Sequence, residues 1–353
     1  MNHDVIDDRY ARLYELPACL SEHIDVSAVC VDYRLGKMEE IHPDLRAVWR
    51  RTNIPRSLFL GWLFSLLFHA RKYRPNVVVA SSDCLQVILG RLVARMLGVP
   101  FIADLYDDYA TFGLAKLPAM RRLYRKSLAG ADGIIAVSET LGADLREAYP
   151  ETPVLILEST IDADRFQPRD KDESRALLGL QQLDGKKLVG VCGGLNAFHG
   201  ADTVFSVFPL FARQHPDVMF VVAGTLYEDC PLPDLENVTY LGMLPHDRMS
   251  HFFSALDVMI IALSNTRFGY YAFPQKAYEV LACRVPAVAA DVGALAELFS
   301  SLPDARYDAD SPASLAKALN HQLRGRGVLD VRVPTWKEQA KRLADYVIRL
   351  QAD

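Results

Sequence analysis

Apolar and polar residues alternate along this chain in a way that predicts short buried strands separated by amphipathic helices. Residues 7–23 carry apolar side chains at helical intervals, and Val26–Tyr33 then has the pattern of a strand. Two apolar runs, Pro75–Ala80 and Pro100–Ala103, flank a helical segment that ends at Leu97. Strand, helix and strand in this order indicate a parallel α/β sheet.

The same alternation begins again in the second half of the chain. The polar, charged stretch Pro168–Ser174 predicts a linker, and Lys187–Cys192 predicts a new buried strand. A loop with three glycines follows at residues 193–200 and leads into a helix. Backbone N–H groups in a glycine turn at a helix start can bind an anion, so this loop is a candidate phosphate cradle.

Arg267–Glu297 carries the densest candidate chemistry. Its pattern predicts a loop of glycine and aromatic residues, a helix that starts at Pro274, and the strand Ala287–Ala290. Lys276 and Glu279 lie three residues apart and therefore share one helical face. The carboxylate suits ribose hydroxyls, and the helix start with the lysine suits the phosphates of a nucleotide diphosphate. A surface salt bridge is the structural alternative.

Composition narrows the classes of function. The chain has 39 basic and 44 acidic residues and a formal charge of -5, which argues against a general nucleic-acid binder. Its six cysteines form no C-x-x-C pair and mostly lie in apolar runs, so they predict buried thiols in a reducing compartment. The polar, acidic start of the chain does not resemble a signal peptide, and a cytoplasmic location is expected.

Two basic segments predict contact with anionic partners. No acidic residue occurs between Asp44 and Asp83, and arginines flank the apolar run Leu58–Phe68, which is too short to span a bilayer. This segment suits either a helix on the inner face of an anionic membrane or a buried helix with solvated arginines. The helix predicted over Ala119–Ala129 carries Arg121 and Arg122. These side chains suit contact with a phosphorylated acceptor or with lipid headgroups, or they form a solvated face of the helix.

Several of these segments resemble motifs of one enzyme family. Pro274–Glu279 followed by Ala282–Pro286 is similar to the P-x-K-x-x-E…A-x-G-x-P-V signature of family 4 glycosyltransferases with the GT-B fold. Ala131–Glu139 resembles the family's A-D-x-I-I-x-V-S-E, and Ile161–Pro168 resembles its interdomain D-x-x-x-F-x-P. The resemblance covers most of residues 7–353 and keeps the family's order of motifs.

The resemblance implies an α/β GT-B fold of two Rossmann-like, doubly wound parallel-sheet domains that face each other across a cleft. The expected domains are residues 1–165 for the acceptor, residues 166–335 for the sugar nucleotide, and a terminal helix at 336–353 that crosses back to the first domain. The first strand of the family's fold has no convincing match before residue 7. The N-terminal sheet is therefore expected to lack its first strand, or to have an atypical one.

The resemblance also implies roles for individual residues. The sets are Tyr106 and Asp107 for catalysis; Glu279, Lys276, Gly194, Asn196, His199, Gly200 and Gly224 for the donor nucleotide; Tyr271, Phe273 and Pro274 for the donor sugar; and Arg121 and Arg122 for the acceptor. Departures from the family pattern occur at Tyr106, Gly194, His199, Tyr271 and Arg284. Gly194 and His199 stand where the family's cradle usually has Arg and Lys. The positive charge of the cradle is therefore expected to come from Lys276, Arg267 or a protonated His199.

The expected activity is transfer of a sugar from a nucleotide-diphosphate sugar to a saccharide or lipid-linked saccharide, in polysaccharide or lipopolysaccharide synthesis. Family stereochemistry implies retention of configuration. The D-x-D triplets Asp162–Asp164 and Asp308–Asp310 are interpreted as linker and surface acids, so no metal or other cofactor is expected. A non-catalytic GT-B partner subunit and a sugar-nucleotide 2-epimerase remain alternatives, and sugar-nucleotide binding with slow hydrolysis separates them.

Overall fold

The computed structural model of the chain describes residues 11–32, 40–42, 48–53, 66–110, 113–325 and 327–352. These residues form two compact units. Unit 1 contains residues 1–159, 271–273 and 334–353, and unit 2 contains residues 160–270 and 274–333. The first division lies six residues before the expected boundary at 165/166, so Arg165 belongs to unit 2.

Unit 1 is built on parallel strands and helices. Its elements are α1 (Arg12–Leu20), β1 (Ser27–Asp32), β2 (Glu40–His42), β3 (Val48–Asn53), α2 (66–73), β4 (Val78–Ser81), α3 (Cys84–Leu97), β5 (Phe101–Leu105), α4 (Pro118–Ala129), β6 (Gly133–Ala136), α5 (Glu139–Ala148), β7 (Val154–Ile156) and α13 (Trp336–Ala352). One sheet has the order β4-β5-β6-β7 and is parallel throughout. A second has the order β1-β3-β2, in which only β2 is antiparallel.

Local chemistry explains where the helix between β4 and β5 starts and stops. The Asp83 carboxylate accepts hydrogen bonds from the N–H groups of Leu85 and Gln86, at 2.7 and 3.2 Å, and thereby caps the first turn of α3. Gly98 ends the helix in the left-handed region with a φ of 70°, a conformation that glycine adopts without the strain of a Cβ. These caps set where the crossover helix between the paired parallel strands β4 and β5 begins and ends.

The terminal helix α13 packs with α1 inside unit 1. Trp336, Leu343 and Val347 of α13 are buried in one apolar cluster with Leu16 and Leu20 of α1. At the end of the helix nearest β6, Tyr346 donates a hydrogen bond to the carbonyl of Pro153 at 2.7 Å. Unit 1 therefore closes its core with a segment that follows unit 2 in the sequence.

A cavity of about 850 Å³ lies in unit 1 beside the ends of two sheets. Residues of β1 and β4 line it, together with side chains from α1, α3 and α13. Within the described residues β1 and β4 are each an edge strand of their own sheet. No strand precedes α1 in that part of the chain, and the segment in which the missing first strand was expected, residues 1–10, lies outside it.

Unit 2 has one parallel six-stranded sheet of order β10-β9-β8-β11-β12-β13. Its elements are α6 (Lys171–Leu177), β8 (Lys187–Leu195), α7 (Ala201–Gln214), β9 (Val218–Leu226), β10 (Val238–Tyr240), α8 (Met249–Ala255), β11 (Val258–Ile261), α9 (Arg267–Tyr271), α10 (Lys276–Ala282), β12 (Ala287–Ala290), α11 (Gly293–Leu298), β13 (Arg306–Tyr307) and α12 (Pro312–Gln322).

Three local expectations in this half of the chain were wrong. The predicted linker contains the start of α6, because the Asp170 carboxylate accepts the N–H of Glu173 at 2.9 Å and caps a helix there. The predicted aromatic loop contains the short helix α9. The helix after it starts at Lys276 and not at Pro274, which instead supplies the carbonyl that accepts the N–H of Ala277.

Candidate functional site

The candidate phosphate cradle lies at the carboxyl end of β8, and its loop is shorter than expected. Gly193 and Gly194 belong to the strand, and the turn begins only at Asn196. The Asn196 side chain accepts the N–H of His199 at 2.9 Å, and Gly200 with a φ of 79° then leads into α7. Parallel α/β sheets place ligands at this end of the strands.

Two glycines bring the strands β8 and β9 very close at this edge. Gly193 pairs with Gly224, and their φ values are 116° and 118°. A Cβ built on Gly224 would lie 2.1 Å from the carbonyl oxygen of Gly193, and one on Gly193 would lie 2.8 Å from the Lys276 Nζ. Side chains are therefore excluded at this pair, where Gly224 is buried and Gly193 is partly exposed beside Lys276.

Lys276 reaches from the start of α10 to the end of β8. Its Nζ donates a hydrogen bond to the carbonyl oxygen of Cys192 at 2.7 Å. No ion pair within 4 Å joins it to Glu279 in the described residues, so the surface salt-bridge alternative was wrong. The ammonium group is instead fixed beside the Gly193–Gly224 pair, where it can neutralise a phosphate.

Glu279 is buried, with 7% of its surface exposed. The side-chain amide of Gln275 donates a hydrogen bond to its Oε1 at 2.9 Å. Burial raises the pKa of Glu279 to about 7, although the Gln275 hydrogen bond and the positive charges of Lys276 and Arg165 oppose that rise. The carboxyl group thus titrates near neutral pH and keeps acceptor capacity for ligand hydroxyls.

His199 lies against aromatic rings and not on an exposed surface. Its ring makes edge-to-face contacts with Phe198 and Phe268, with centroids 5.5 and 5.6 Å away. Burial, and then the nearby charge of Lys276, lower the pKa of His199 below its ordinary value. The imidazole is therefore neutral at pH 7, and it is not the cationic replacement that the departure from the family pattern required.

The second candidate region is the loop that follows β5 in unit 1, where Tyr106 and Asp107 lie. The hydroxyl of the fully buried Tyr109 organises this loop. It accepts N–H groups from Ser82 and Tyr106, at 3.1 and 3.3 Å, and lies 3.2 Å from the carbonyl of Asp104, to which it donates. One side chain thereby ties the loop after β4 to the loop after β5.

The pKa values of Tyr106 and Asp107 are both raised well above their ordinary values. Burial, and next the charge of Asp107, raise the pKa of Tyr106 to about 12. Burial is also the largest cause that raises the pKa of Asp107 to about 7, while a hydrogen bond from the Asp108 N–H at 2.8 Å opposes it. At neutral pH the pair combines a phenol that can donate and a carboxyl group that exchanges its proton.

A buried ion pair between Arg12 and Asp104 lies next to this loop, at the end of β5. Arg12 donates to both oxygens of Asp104, at 2.6 and 3.3 Å, and to the carbonyl of Leu157 at 2.6 Å. The Ser81 hydroxyl donates to the same carboxylate at 2.8 Å. The network joins the ends of β4 and β5 to α1, and it holds the carboxyl edge of the sheet in place.

The remaining candidate residues are dispersed. The Tyr271 hydroxyl donates to Asp144, and its carbonyl accepts from Ser138 at 2.8 Å, so both polar groups of Tyr271 are used inside unit 1. Phe273 packs on the same core. Their assignment to the donor sugar, with Pro274, stays a prediction. Arg121 and Arg122 lie exposed on α4.

Neither D-x-D triplet has the features of a metal site. Asp162 and Asp308 each accept the N–H two residues later, at 3.0 and 3.1 Å, and so stabilise their own turns. Across the ranges described above, no group of three or more His, Cys, Asp or Glu side chains could hold a metal ion. All six cysteines are buried, and none forms a disulfide bond.

Sequence reasoning missed several residues that shape these sites. Gln275 and Arg165 both tune Glu279, and Arg12, Ser81 and Tyr109 support the loop after β5. Arg12 is far from Asp104 in the sequence, so no local pattern could have paired them. Gln275 sits four residues before Glu279, and that helical spacing was a usable signal.

The basic segment between Asp44 and Asp83 is only partly within the described residues. Val48–Asn53, which includes Arg50 and Arg51, is a strand paired with β1 and β2 and not part of a helix. Most of the apolar run Leu58–Phe68 lies outside the described residues. No helix in the described part of the chain has the length and apolar character needed to cross a bilayer.

Comparison with known proteins agrees with this architecture. The family model "Glycosyl transferase 4-like domain" matches residues 11–157, and "Glycosyl transferases group 1" matches residues 186–324. The D-inositol 3-phosphate glycosyltransferase of Frankia alni is 27% identical over 320 residues, which cover 82% of this chain and 74% of that protein.

Solved structures show the same fold at low sequence identity. Sucrose-phosphate synthase from Thermosynechococcus elongatus has a TM-score of 0.73 and 17% identity over 96% of this chain and 92% of that one. HepE from Anabaena, solved in complex with UDP-glucose, has a TM-score of 0.63 and 14% identity. The match covers 86% of this chain and 84% of that one. The chain belongs to the family 4-like glycosyltransferases with the GT-B fold.

Proposed function

We propose that this chain transfers a hexosyl group from a nucleotide-diphosphate sugar to a saccharide or lipid-linked saccharide acceptor. The observation that carries the proposal is the group at the carboxyl end of β8 in unit 2. There, the partly exposed Gly193, the Lys276 ammonium beside it and the buried Glu279 carboxyl group lie together. This combination suits a diphosphate beside a ribose, and the relative from Anabaena was solved with UDP-glucose.

The donor's parts have matching groups in unit 2. The Lys276 ammonium is held at the end of β8 by the Cys192 carbonyl, so a diphosphate there would gain charge-assisted hydrogen bonds. Glu279 would accept hydrogen bonds from the two ribose hydroxyls, and Gln275 would keep its carboxyl group oriented. Asn196, His199 and Gly200 would shape the turn around the phosphates. Because His199 is neutral, positive charge would come from Lys276 or Arg267.

The reacting groups belong to unit 1. In the transfer, the bond between the anomeric carbon and the diphosphate oxygen breaks, a bond to the acceptor oxygen forms, and the acceptor hydroxyl loses its proton. Asp107, with a pKa near 7, is suited to accept that proton or to hold the hydroxyl, and Tyr106 is suited to donate a hydrogen bond. Retention of configuration and independence of metal ions are part of the proposal, on the family's pattern.

The acceptor side follows from charge. The relative from Frankia alni is named for a phosphorylated acceptor, and the basic helix α4 with Arg121 and Arg122 suits one. We place the reaction in the synthesis of cell-surface polysaccharide or lipopolysaccharide, at the cytoplasmic face of a membrane. A lipid-linked acceptor would be presented there.

A panel of UDP-, GDP- and ADP-sugars tests the proposal. We expect one class to bind, to be hydrolysed slowly to the free nucleotide diphosphate, and to react faster when a matching acceptor is added. Rates in EDTA should equal those with added magnesium or manganese, and a strict need for a divalent ion would refute the metal-independent part. Binding without any hydrolysis or transfer would favour a non-catalytic partner subunit, and epimerised donor would favour the epimerase.

A further inference from the structure

The stretch from Gly113 to Ala129 in unit 1 has an unusual distribution of charge. No acidic residue occurs between Asp108 and Asp132 in the sequence. The basic residues of the stretch are Lys116, Arg121, Arg122, Arg125 and Lys126. Because the whole chain carries a formal charge of -5, this positive surface is local and is not a property of the composition.

The structure divides α4 into a buried face and an exposed face. Tyr124, Ser127 and Leu128 are buried, and α4 packs against α3. Lys116 and the four basic residues of α4 are all exposed. Of these five side chains, only that of Arg121 is hydrogen-bonded to a backbone group among the residues that the structure describes, since its Nε donates to the carbonyl of Ala115 at 3.0 Å.

In the described part of the chain, these cations have no acidic partners. No Asp or Glu oxygen lies within 4 Å of them among the residues that the structure describes. By contrast, the exposed Arg146 on α5 pairs with Glu139, and Lys171 on α6 pairs with Asp257 at 2.8 Å. The charge on α4 is therefore available to an external anionic partner.

Exposed leucines accompany the cations. Leu114, Leu117 and Leu123 expose 45%, 55% and 48% of their surfaces. Leu114 and Leu117 lie in and after the turn that precedes α4, and Leu123 lies on the helix between Arg122 and Arg125. A soluble phosphate ligand would gain nothing from these side chains. A lipid surface would bind more strongly because of them, since leucines enter the acyl boundary while cations contact the headgroups.

We propose that the exposed surface of residues 113–129, here called the α4 surface, binds the headgroup region of an anionic lipid bilayer. The inference deepens the proposed function, because it names the membrane surface that would present a lipid-linked acceptor to unit 1. It does not depend on transfer activity, since binding to lipid is measured without donor or acceptor. Each basic residue near such a surface strengthens binding, and several act together.

Vesicle flotation with the full chain tests the α4 surface. The protein should float with vesicles of phosphatidylcholine mixed with phosphatidylglycerol at low salt, and it should stay in solution with pure phosphatidylcholine. In the triple variant Arg122→Gln/Arg125→Gln/Lys126→Gln the partition coefficient should fall by roughly one hundredfold, at about a factor of five per charge. The matched control removes three exposed cations from α13, Lys337→Gln/Lys341→Gln/Arg349→Gln, and should bind almost as wild type.

A second pair of variants separates membrane insertion from general attraction of charge. Leu117→Ser/Leu123→Ser should weaken vesicle binding roughly tenfold, by loss of apolar burial. The control Leu177→Ser/Leu210→Ser changes two leucines in unit 2 that are equally exposed and should have no effect. Circular dichroism and nucleotide binding should be unchanged in all four variants.

The outcomes are distinct. Equal loss in the α4 and α13 charge variants would show attraction by overall charge and overturn the proposal. Binding of free inositol phosphate without any flotation would show a soluble phosphorylated ligand and would also overturn the proposal. No flotation, together with normal hydrolysis of a sugar nucleotide, would refute the α4 surface and leave the proposed function intact.

Discussion

The two candidate regions each contain a carboxyl group with a pKa of about 7, yet the surroundings of the two groups differ. Asp107 in unit 1 receives a hydrogen bond from the backbone N–H of Asp108, and among the described residues the neighbouring charge that shifts its pKa is the negative charge of Asp108. Glu279 in unit 2 is more deeply buried, but Gln275, Lys276 and Arg165 all favour its charged form. The two similar pKa values thus arise from different combinations of burial, hydrogen bonding and neighbouring charge.

The difference indicates how each group responds to substrate. Ribose hydroxyls that donate to Glu279 would add to the forces that favour the carboxylate, so nucleotide binding should lower its pKa and release a proton below pH 7. No described cation favours the charged form of Asp107, and its pKa of about 7 lies near the pH at which a general base is most effective. One carboxyl group suits binding, and the other suits proton transfer.

The largest expected effect is on turnover, from Asp107→Asn. Loss of a general base lowers kcat by about 10²- to 10⁴-fold, while nucleotide affinity should stay within twofold or so of wild type. Steady-state kinetics and calorimetric titration of the nucleotide diphosphate measure the two quantities. Asp247→Asn, an exposed change in unit 2, is the matched control, and full activity in Asp107→Asn would exclude a catalytic role.

The next effect is on donor affinity, from Glu279→Ala. Hydrogen bonds to a charged partner contribute about 1.5–3 kcal/mol, so the nucleotide diphosphate should bind roughly 10- to 150-fold more weakly. Exposed Glu236→Ala serves as the control for loss of one negative charge. Equal affinity in wild type and Glu279→Ala would remove the basis for placing ribose at this helix.

Glu279→Gln separates charge from shape through the pH dependence of stability. The pKa of Glu279 is raised from 4.5 to about 7 in the folded protein, so the native state holds the extra proton and stability falls as pH rises through that window. Above pH 7 the glutamine variant should be more stable by up to about 3 kcal/mol, and below about pH 4 the two proteins should match. Urea unfolding at both pH values measures this, and a constant difference would exclude a raised pKa.

The smallest effect concerns the residue after the helix of Glu279. Arg284 occupies the position of the family's glycine and has a φ of 54°, which strains a residue that carries a Cβ. Arg284→Gly should therefore stabilise the protein by about 1 kcal/mol. Arg248→Gly, at an exposed position with a φ of -89°, should instead destabilise it by about 0.5–1 kcal/mol. Chemical denaturation of both variants decides, and a loss in each would show that Arg284 makes a compensating contact.

The sequence was most informative where a pattern is local. The strands predicted at Val26–Tyr33 and Ala287–Ala290 are β1 and β12, and the basic helix Ala119–Ala129 is α4. The fold class was predictable because several motifs keep the order of one family. The family models and the solved structures confirmed it. Lys276 and Glu279 do lie together at a strand end, since helical spacing fixes their separation.

Tertiary contacts were not predictable in the same way. Arg165, one of the charges that act on the pKa of Glu279, lies far from it in the sequence. Gly193 and Gly194 extend β8, because their pairing with Gly224 and Thr225 outweighs the tendency of glycine to end a strand. The Arg12–Asp104 pair likewise depends on how α1 packs, which no pattern within α1 specifies.

The return of α13 to unit 1 has a consequence for spectroscopy. The chain has three tryptophans, at positions 49, 62 and 336, and all three belong to unit 1. Trp336 is buried at the first turn of α13, 3% exposed. Indole emission therefore reports on unit 1 while unit 2 contributes only tyrosine, so a fluorescence change on addition of a nucleotide would show that binding in one unit is felt in the other.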